Sequence, residues 1–397
     1  MLDTVLASFA NDMWASKAFG GYLTSFFNIG SICMAFLCGP MVSRLGKRRC
    51  LILGAVIFSL PTFFCPIWPS PSFTLFTRLI QGIAKGIVTV AASSVVADVV
   101  PRSRMNEGMG LYSLGNTLAM AFGPMIALAM VQGGSYARVF ITAAVIYLSI
   151  TIWSAGLNYE KKTAAGTKKS AEAPRPPDQT AYRGVWRLIE RRALPPSLNY
   201  TLCFASFSGV LIFITVYSQE CLHLSASQIG LFYTTAAISM FAFRILFGRM
   251  GDRFGPLTMI VPGHASIVLL LVILAFFAAK SYVLYLLCGV LYGVANSALM
   301  PTFNALAITE SPGGRSSIAN ATFYFTMDFG ILFGSSLYGR IIDAAATPGV
   351  GYRNMFLCSI FVCLCSLVLS LILFHSKAIR RRGAIDEENK AEKGACN

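Results

Sequence analysis

The 397 residues are 55% hydrophobic and only 12% charged, with a mean hydropathy of +0.65. A soluble chain carries about a quarter charged residues, so this composition excludes an ordinary soluble protein and indicates a multi-pass membrane protein. The formal net charge of +15 is compatible with a nucleic-acid-binding protein, but the distribution of the basic residues along the chain argues against that class.

Apolar stretches long enough to cross a bilayer, about 20 residues each, occur in two groups. Five lie near 18–42, 50–68, 73–97, 107–131 and 136–157, and six lie near 197–219, 227–248, 257–278, 281–307, 316–340 and 353–375. Basic pairs, Pro-Pro and small polar residues between the groups predict a flexible linker. The expected domains are an N-terminal bundle (1–157), a basic linker (158–195), a C-terminal bundle (196–375) and a tail (376–397).

Lys and Arg are distributed asymmetrically between the loops. Of the 32 such residues, 24 lie in alternate loops and the tail, at 44–49, 102–104, 161–192, 249–253, 315 and 377–393. The positive-inside rule places these loops in the cytoplasm, which predicts a plasma or inner membrane protein with a cytoplasmic linker and C-terminus. The lipid bilayer is then the partner, and no nucleic acid is needed. Solvated charge is a simpler interpretation of the linker than contact with anionic lipid.

The odd number of spans leaves the first group one helix short. Residues 1–16 hold a short apolar run interrupted by Asp3, Asn11 and Asp12, which resembles one end of a further helix. Two explanations compete: a recorded chain that starts too late and truncates the first helix, or a genuine product with eleven spans. We favour truncation, because a partial span leaves the first bundle incomplete.

One loop pattern occurs twice, as Gly-Pro-Met-Val-Ser-Arg-Leu-Gly in residues 39–46 and as Gly-Arg-Met-Gly-Asp-Arg-Phe-Gly in residues 248–255. These two segments, here named the first and second gate loops, lie 209 positions apart and share Gly, Met, Arg and Gly at four places. A repeat at that spacing predicts two homologous bundles. In duplicated transporters the substrate site lies between the two halves, so the repeat indicates transport.

Four charged residues fall within the predicted spans away from their ends: Arg78, Lys85, Arg244 and Asp328. Such residues are costly in the bilayer core and need a partner or a function. A rise of about 1.5 Å per residue places Lys85 and Asp328 at a similar depth, near the midplane. We predict that they face each other across the central cavity as a proton-linked pair, because a carboxylate near a cation can change its protonation state. The alternative is a local hydrogen-bond network around Asp328 and a Lys85 side chain that extends to the headgroups.

Several polar side chains in the spans are candidates for the substrate cavity. The set is Arg78, Gln81, Tyr112, Asn116, Asn296, Asn304, Asn320 and Tyr324. Asn320, Tyr324 and Asp328 recur every four residues and therefore share one helix face. Arg244 lies four residues before Gly248 and is assigned to support of the gate. Three cations against one acid within the spans favour an anionic or zwitterionic substrate.

No sequence pattern indicates catalysis. The eleven cysteines are scattered without a CxxC motif, and the three histidines are isolated near the ends of spans. Neither pattern has the spacing of a metal site. A phosphate-binding GxxxxGK[ST] segment is also missing from the sequence. We therefore expect neither a cofactor, nor a bound metal, nor enzymatic activity.

With two gate loops and a central basic linker, residues 15–375 resemble the major facilitator superfamily, whose gate motif runs Gly-x-x-x-Asp-Arg-x-Gly-Arg-Arg. The second gate loop matches this motif at Gly248, Asp252, Arg253 and Gly255, and the first matches it at Gly39, Arg44 and Gly46. Ser43 replaces the motif's Asp in the first loop. The resemblance implies that this carboxylate latches the inner gate, so the first latch is weakened or rebuilt, with Asp98 as a candidate charge for Arg44.

Two further motifs carry the resemblance. Residues 78–86 resemble the family's fourth-helix signature Arg-x-x-Gln-Gly-x-x-x-Gly. Residues 119–127 resemble the fifth-helix antiporter motif Gly-x-x-x-Gly-Pro-x-x-Gly through Gly123 and Pro124, with Ala at two of the Gly positions. In this family the second motif accompanies exporters more than importers.

The resemblance implies an all-α membrane protein with two pseudo-symmetric six-helix bundles, the first helix truncated, acting as a monomer. The implied activity is proton-driven export of small amphipathic molecules or metabolites by alternating access. A proton-coupled importer of a small anionic or zwitterionic solute is the alternative within this class. A transporter-like sensor or scaffold is the alternative from another class, which Ser43 and the incomplete first helix favour and the four intramembrane charges disfavour.

Overall fold

The computed structural model describes residues 17–68, 70–101, 104–131, 136–155, 186, 188–312 and 315–395. The expectations for residues 1–16 and for most of the linker lie outside these ranges. Within them the fold is all-α, as predicted. The helices are α1 (Lys17–Leu45), α2 (Lys47–Phe64), α3 (Pro71–Val99), α4 (Met105–Val131), α5 (Tyr136–Ala155), α6 (Leu194–Glu220), α7 (Ala226–Phe254), α8 (Leu257–Phe276), α9 (Tyr282–Thr309), α10 (Ser316–Asp343) and α11 (Pro348–Ala395).

Six of the described helices are long and apolar enough to cross a membrane, and two bent helices, α1 and α7, bring the number to eight. The axis of α1 bends by 55° between Met34 and Leu37, and that of α7 by 43° between Arg244 and Leu246. Pro40 accounts for the first bend, because proline lacks the N–H that would bond the carbonyl four residues earlier. The two bends fall at equivalent positions of the 209-residue repeat, so the duplication extends to the shape of the helices.

The helices form two compact units that interleave in sequence. One unit contains residues 1–102, 115–194 and 307–329, and the other contains residues 103–114, 195–306 and 330–397. In the first unit, α1 and α2 pack on α3, and α2 packs on α5. In the second unit, α8 packs on α11 and α7. The duplication alone predicts uninterrupted halves, whereas the first part of α10 belongs to the first unit and the first part of α4 to the second.

One helix contact occurs in both units at equivalent positions. A Cβ atom on Gly82 of α3 would lie 2.0 Å from the carbonyl oxygen of Phe27 in α1, and a Cβ on Gly293 of α9 would lie 2.5 Å from that of Ala236 in α7. Phe27 and Ala236 are 209 positions apart, the spacing of the gate loops. Only glycine permits backbones to approach this closely, as is common between membrane helices. The packing of each unit thus follows from the repeat.

This contact predicts a specific loss of stability. Gly82→Ala places a methyl group against a backbone carbonyl, and overpacking of this kind costs about 1–3 kcal/mol. Gly230→Ala is the matched control, since a Cβ at that position of α7 meets nothing within 4 Å. We expect the melting temperature of the detergent-solubilised protein to fall for Gly82→Ala and to stay or rise for Gly230→Ala. Equal melting temperatures would show that the close α1–α3 contact is not required.

A buried polar network joins three helices of the second unit. His264 of α8 lies with Nδ1 2.7 Å from the Ile260 carbonyl oxygen and Nε2 3.0 Å from the Ser366 hydroxyl of α11. The side chain of Asn199 in α6 contacts Ser366 at 2.8 Å and Ser370 at 2.7 Å. Buried polar groups need such partners, and both ring nitrogens of His264 have one here. The contacts give His264 a structural role in helix packing.

Candidate functional site

Asp328, Lys85 and Ser31 come together from three helices of the first unit. Asp328 of α10 is half-buried, and its Oδ2 accepts a hydrogen bond from the Ser31 hydroxyl of α1 at 3.3 Å. The Lys85 ammonium of α3 acts electrostatically on the Asp328 carboxylate. It forms none of the direct ion pairs found among the described residues. A carboxylate, a nearby cation and a hydroxyl can together hold, release and reorient a proton.

The aromatic ring of Phe27 lies beside both cations of α3. Its centroid is 5.5 Å from Lys85 Nζ and 4.4 Å from Arg78 Cζ. Cation–π contacts at these distances stabilise a charge that the bilayer would otherwise exclude. Phe27 and Ser31 are four residues apart on α1 and therefore share one helix face. Neither residue belongs to a recognisable sequence motif. Their role becomes visible only in the structure, where the α1 face that carries them lies beside α3.

Arg78 and Gln81 lie inside the packing of the first unit. Arg78 is 2% exposed; its Nε donates to the Leu23 carbonyl at 3.3 Å, and its Nη1 donates to Gln81 Oε1 at 2.9 Å. Gln81 Nε2 in turn donates to the Thr62 hydroxyl at 2.8 Å. This chain links α1, α2 and α3. In the described arrangement the Arg78 guanidinium is engaged by the protein, whereas Lys85 is half-buried and more available to a solute.

The other candidates on α10 continue the face that carries Asp328. Asn320 is buried, and its Nδ2 lies 3.5 Å from the Ser94 hydroxyl of α3. Tyr324 is also buried, between Asn320 and Asp328 along the helix. The predicted face of α10 is thus turned towards α1 and α3, with its polar groups at three successive levels.

The candidate residues of the second unit lie on α4, α7 and α9 and are not part of the Asp328 cluster of the first unit. Arg244 of α7 is 2% exposed and donates from Nη2 to Asn296 Oδ1 of α9 at 2.8 Å. Asn304 is buried on α9 and Tyr112 is half-buried on α4. The side chains of Asn116 and Pro124 lie outside the described residues. The backbone of α4 runs as one helix through the antiporter motif, including Gly123.

The second gate loop is bound to the first turn of α4. Asp252 Oδ1 accepts hydrogen bonds from the Asn106 backbone N–H at 3.0 Å and its side-chain Nδ2 at 2.8 Å, and Oδ2 accepts one from the Glu107 N–H at 3.0 Å. The first N–H groups of a helix have no partner within the helix, so Asp252 caps α4. Gly248 makes the approach possible, because a Cβ there would lie 2.8 Å from the Glu107 Cα.

Charged side chains surround this cap. Glu107 accepts hydrogen bonds from Arg249 Nε at 3.0 Å and from Arg104 Nε at 2.8 Å. With Asp252 and the exposed Arg253, these residues line an open cavity of about 310 Å³. Salt bridges of exposed arginines contribute little alone. The Asp252 cap is therefore the contact that fixes the second gate loop.

The first gate loop is built differently. The Ser43 hydroxyl donates to the Pro40 carbonyl of its own helix at 2.9 Å. Asp98, at the end of α3, forms an ion pair with Lys47 and lies 3.4 Å from the hydroxyl of Ser316, the first residue of α10. The Arg44 side chain is exposed. The described partner of Asp98 is therefore Lys47 rather than Arg44, because Lys47 begins α2 beside the end of α3.

Other features of the two gate loops remain equivalent. Gly46 and Gly255 both have a positive φ, 87° and 93°, which a residue with a side chain rarely adopts. Gly39 of the first loop packs against α10, where a Cβ would lie 2.9 Å from the Ile318 Cα. Each gate loop thus contacts the beginning of a helix from the other half of the sequence, α10 in one unit and α4 in the other.

The fold and these contacts define the class: an all-α, multi-pass membrane protein made from a duplicated helix bundle, with a gate loop in each copy. The profile of the Major Facilitator Superfamily matches residues 1–335 and 197–394. The chain belongs to this superfamily, and it is a transporter of a small-molecule substrate rather than an enzyme.

Individual relatives agree with the assignment. The MFS-type transporter YceJ of Bacillus subtilis (strain 168) is 22% identical over 357 residues, which cover 88% of this chain and 87% of the relative. The multidrug resistance protein MdtG of Serratia proteamaculans (strain 568) is 25% identical over 382 residues, covering 94% and 87%. The structure of the proton:xylose symporter XylE has the same fold, with a TM-score of 0.69, 16% identity and coverage of 94% and 92%.

Proposed function

We propose that this transporter exports small amphipathic molecules or metabolites in exchange for protons, by alternating access. The observation that supports the proposal best is the cluster of Asp328, Lys85 and Ser31 on three helices of one unit. In this mechanism Asp328 is the proton carrier. Lys85 and Ser31 stabilise its ionised form, and a solute or a water molecule replaces their contacts when the carboxylate is protonated.

The charge of the substrate decides whether such a site exchanges or cotransports. A cationic group that binds Asp328 competes with the proton, so binding of one releases the other, and exchange follows. An anionic group that binds Lys85 does so more strongly once Asp328 is neutral, so proton and anion bind together and cotransport follows. Linkage requires these couplings to be reciprocal. Export driven by the entry of protons therefore implies a substrate with a cationic group, either a cation or a zwitterion.

Two further observations favour exchange. The motif around Gly123 and Pro124 resembles that of exporters, and the relative MdtG is named a multidrug resistance protein. The alternative is a proton-coupled importer of a small anionic or zwitterionic solute, which the availability of Lys85 favours. The likeness to the proton:xylose symporter concerns the fold and does not favour either direction.

The basic loops orient the proposed cycle. By the positive-inside rule, their positive charge supports an orientation with the gate loops, the linker and the C-terminus in the cytoplasm of a cell whose plasma or inner membrane holds the protein. In this orientation the Asp252 cap of α4 and the Asp98 contact with α10 lie at the cytoplasmic ends of the helices. We propose that these contacts stabilise the closed inner gate of a monomer.

A dye panel tests the proposed function. Cells that express the full reading frame are loaded with the cation ethidium, a zwitterionic rhodamine or the anion carboxyfluorescein, and efflux is followed with and without a protonophore. We expect efflux of the cationic or zwitterionic dye that stops when the proton gradient collapses. Proton-dependent accumulation of the anion would instead establish the importer. If every transported dye moved at an unchanged rate after the proton gradient collapsed, proton coupling would be contradicted.

A further inference from the structure

A buried ion pair joins the end of the linker to the beginning of α10. Glu190 and Arg315 form a hydrogen-bonded ion pair, and their side chains are only 2% and 3% exposed. Glu190 lies four residues before α6, and Arg315 directly precedes α10. The proposed proton site uses neither residue, although a buried charge pair is costly to form and is retained only with close partners.

Backbone contacts strengthen this attachment. Arg315 Nη2 donates to the Trp186 carbonyl at 2.8 Å and to the Ile189 carbonyl at 3.4 Å. The Glu190 N–H donates to the Thr322 hydroxyl of α10 at 3.0 Å. We name these five residues the linker clamp. Arg315 and Thr322 are separated by about 10 Å along the helix, so the clamp holds α10 at two levels rather than one.

The clamp lies on the opposite side of α10 from the proton site. At about 100° per residue, Arg315 and Thr322 share one face of the helix. Asn320, Tyr324 and Asp328 lie around the helix by about 180° from that face. The second face meets α1 and α3 through Ser31 and Ser94. Within the first unit, α10 is therefore held between the linker clamp and the helices that carry Ser31 and Lys85.

We propose that Glu190 and Arg315 are positioning residues, which fix the rotation and height of α10 so that Asp328 faces Ser31 and Lys85. The functional meaning of this position rests on the proposed role of Asp328. The charged group that faces Asp328 from α3 is Lys85, and α1 contributes the neutral hydroxyl of Ser31. The linker end is then part of the transport machinery rather than a passive tether.

Two variants of the full-length protein test the clamp. Glu190→Gln removes the carboxylate that pairs with Arg315. Glu190→Met with Arg315→Met removes both charges of the pair, so neither is left buried without the other and we expect the fold to be retained, but the bonds to the linker carbonyls are lost. Glu220→Gln is the matched control, because it replaces an acid that contacts Tyr352 in the other unit.

The first measurement is trypsin cleavage after Arg191 and Arg192, two exposed residues beside Glu190. Cleavage of a native protein follows the population of its opened form, so release of the linker end should raise this rate by about tenfold or more in both clamp variants. The rate in Glu220→Gln should match the parent. An unchanged rate in both clamp variants would overturn the clamp itself.

The second measurement is modification of Asp328 by dicyclohexylcarbodiimide, which reacts with protonated carboxyl groups, followed by mass spectrometry. If the clamp positions α10, its loss withdraws Lys85 and Ser31 from the carboxylate, and modification at neutral pH should become about three- to tenfold faster. Faster trypsin cleavage with an unchanged modification rate would overturn the positioning role. This measurement needs no transported substrate, so it is separable from the proposed function, which fails if Asp328→Asn retains proton-driven transport.

Discussion

The Asp328→Asn variant is expected to lose proton-driven transport. An amide keeps the size and polarity of the side chain but carries no charge, so it can neither take up a proton nor pair with the cationic group of a substrate. An imposed pH difference of one unit is worth about 1.4 kcal/mol per proton and supports up to about a tenfold substrate gradient in the parent. The variant should reach no gradient. Proteoliposomes with an imposed pH difference and a substrate found in the dye panel provide the measurement.

Glu220→Gln is again the control, since it makes the same chemical change at an acid outside the cluster. It should keep the full gradient. Ser31→Ala should give an intermediate result, because it removes a single hydroxyl from the Asp328 carboxylate. A normal gradient in Asp328→Asn, with the parent's pH dependence, would exclude this carboxylate as the proton carrier.

The sequence identifies two of the three residues of this cluster. Lys85 and Asp328 can be predicted because a charge within an apolar span is conspicuous, and the depth of each follows from its distance to the end of the span. Their proximity joins residues 243 positions apart in the chain. Ser31 could not be predicted, since serine is common in membrane helices and its role depends on the packing of α1 beside α3.

Packing also decides which of the two cations on α3, Arg78 or Lys85, is accessible to a solute. Arg78 is a defining residue of the fourth-helix motif, yet it lies buried with its guanidinium on Leu23 and Gln81. Lys85 occupies a variable position of the same motif and lies half-buried near the carboxylate. A motif indicates that a residue type is needed at a position. It does not distinguish a residue that binds solute from one that joins helices, because both uses require a polar side chain in an apolar setting.

The linker shows the same limit of sequence analysis. Its composition predicts flexibility, and its basic residues predict a cytoplasmic position by the positive-inside rule. The described end of the linker is nevertheless held by Arg315 through Glu190 and two backbone carbonyls. One acid beside basic residues, as Glu190 is beside Arg191 and Arg192, is inconspicuous in sequence. Burial strengthens its attraction to Arg315, because it removes the water that would otherwise screen the pair.

The two repeats differ in their side chains at equivalent positions while retaining the same scaffold. Gly82 and Gly293 make equivalent helix contacts, 211 positions apart, and the same spacing relates Lys85 to Asn296. In the first unit Lys85 acts electrostatically on Asp328, whereas in the second unit the side-chain amide of Asn296 accepts a hydrogen bond from Arg244. The proposed proton site therefore lies in the first unit, with Lys85 and Ser31 from the first copy of the repeat and Asp328 from the second, whereas the better-preserved gate carboxylate lies in the second unit.

The second large effect is expected for Asp252→Ala in the gate loop. The substitution removes three hydrogen bonds, of 2.8–3.0 Å, from the first turn of α4. Loss of a charged helix cap of this kind should lower the free energy of unfolding by about 2–3 kcal/mol. Transport should fall strongly as well, because the loop no longer holds the helix that it caps. Thermal unfolding in detergent and transport in proteoliposomes measure the two effects on the same preparation.

Ser43→Ala is the repeat-related control, 209 positions from Asp252. The Ser43 hydroxyl bonds only within its own helix among the described contacts, so its loss should change stability by no more than about 0.5 kcal/mol and leave transport intact. The first gate should depend instead on Asp98, through Lys47 and Ser316. If Ser43→Ala were as damaging as Asp252→Ala, the two loops would still share one latch chemistry, and the divergence inferred from their contacts would be wrong.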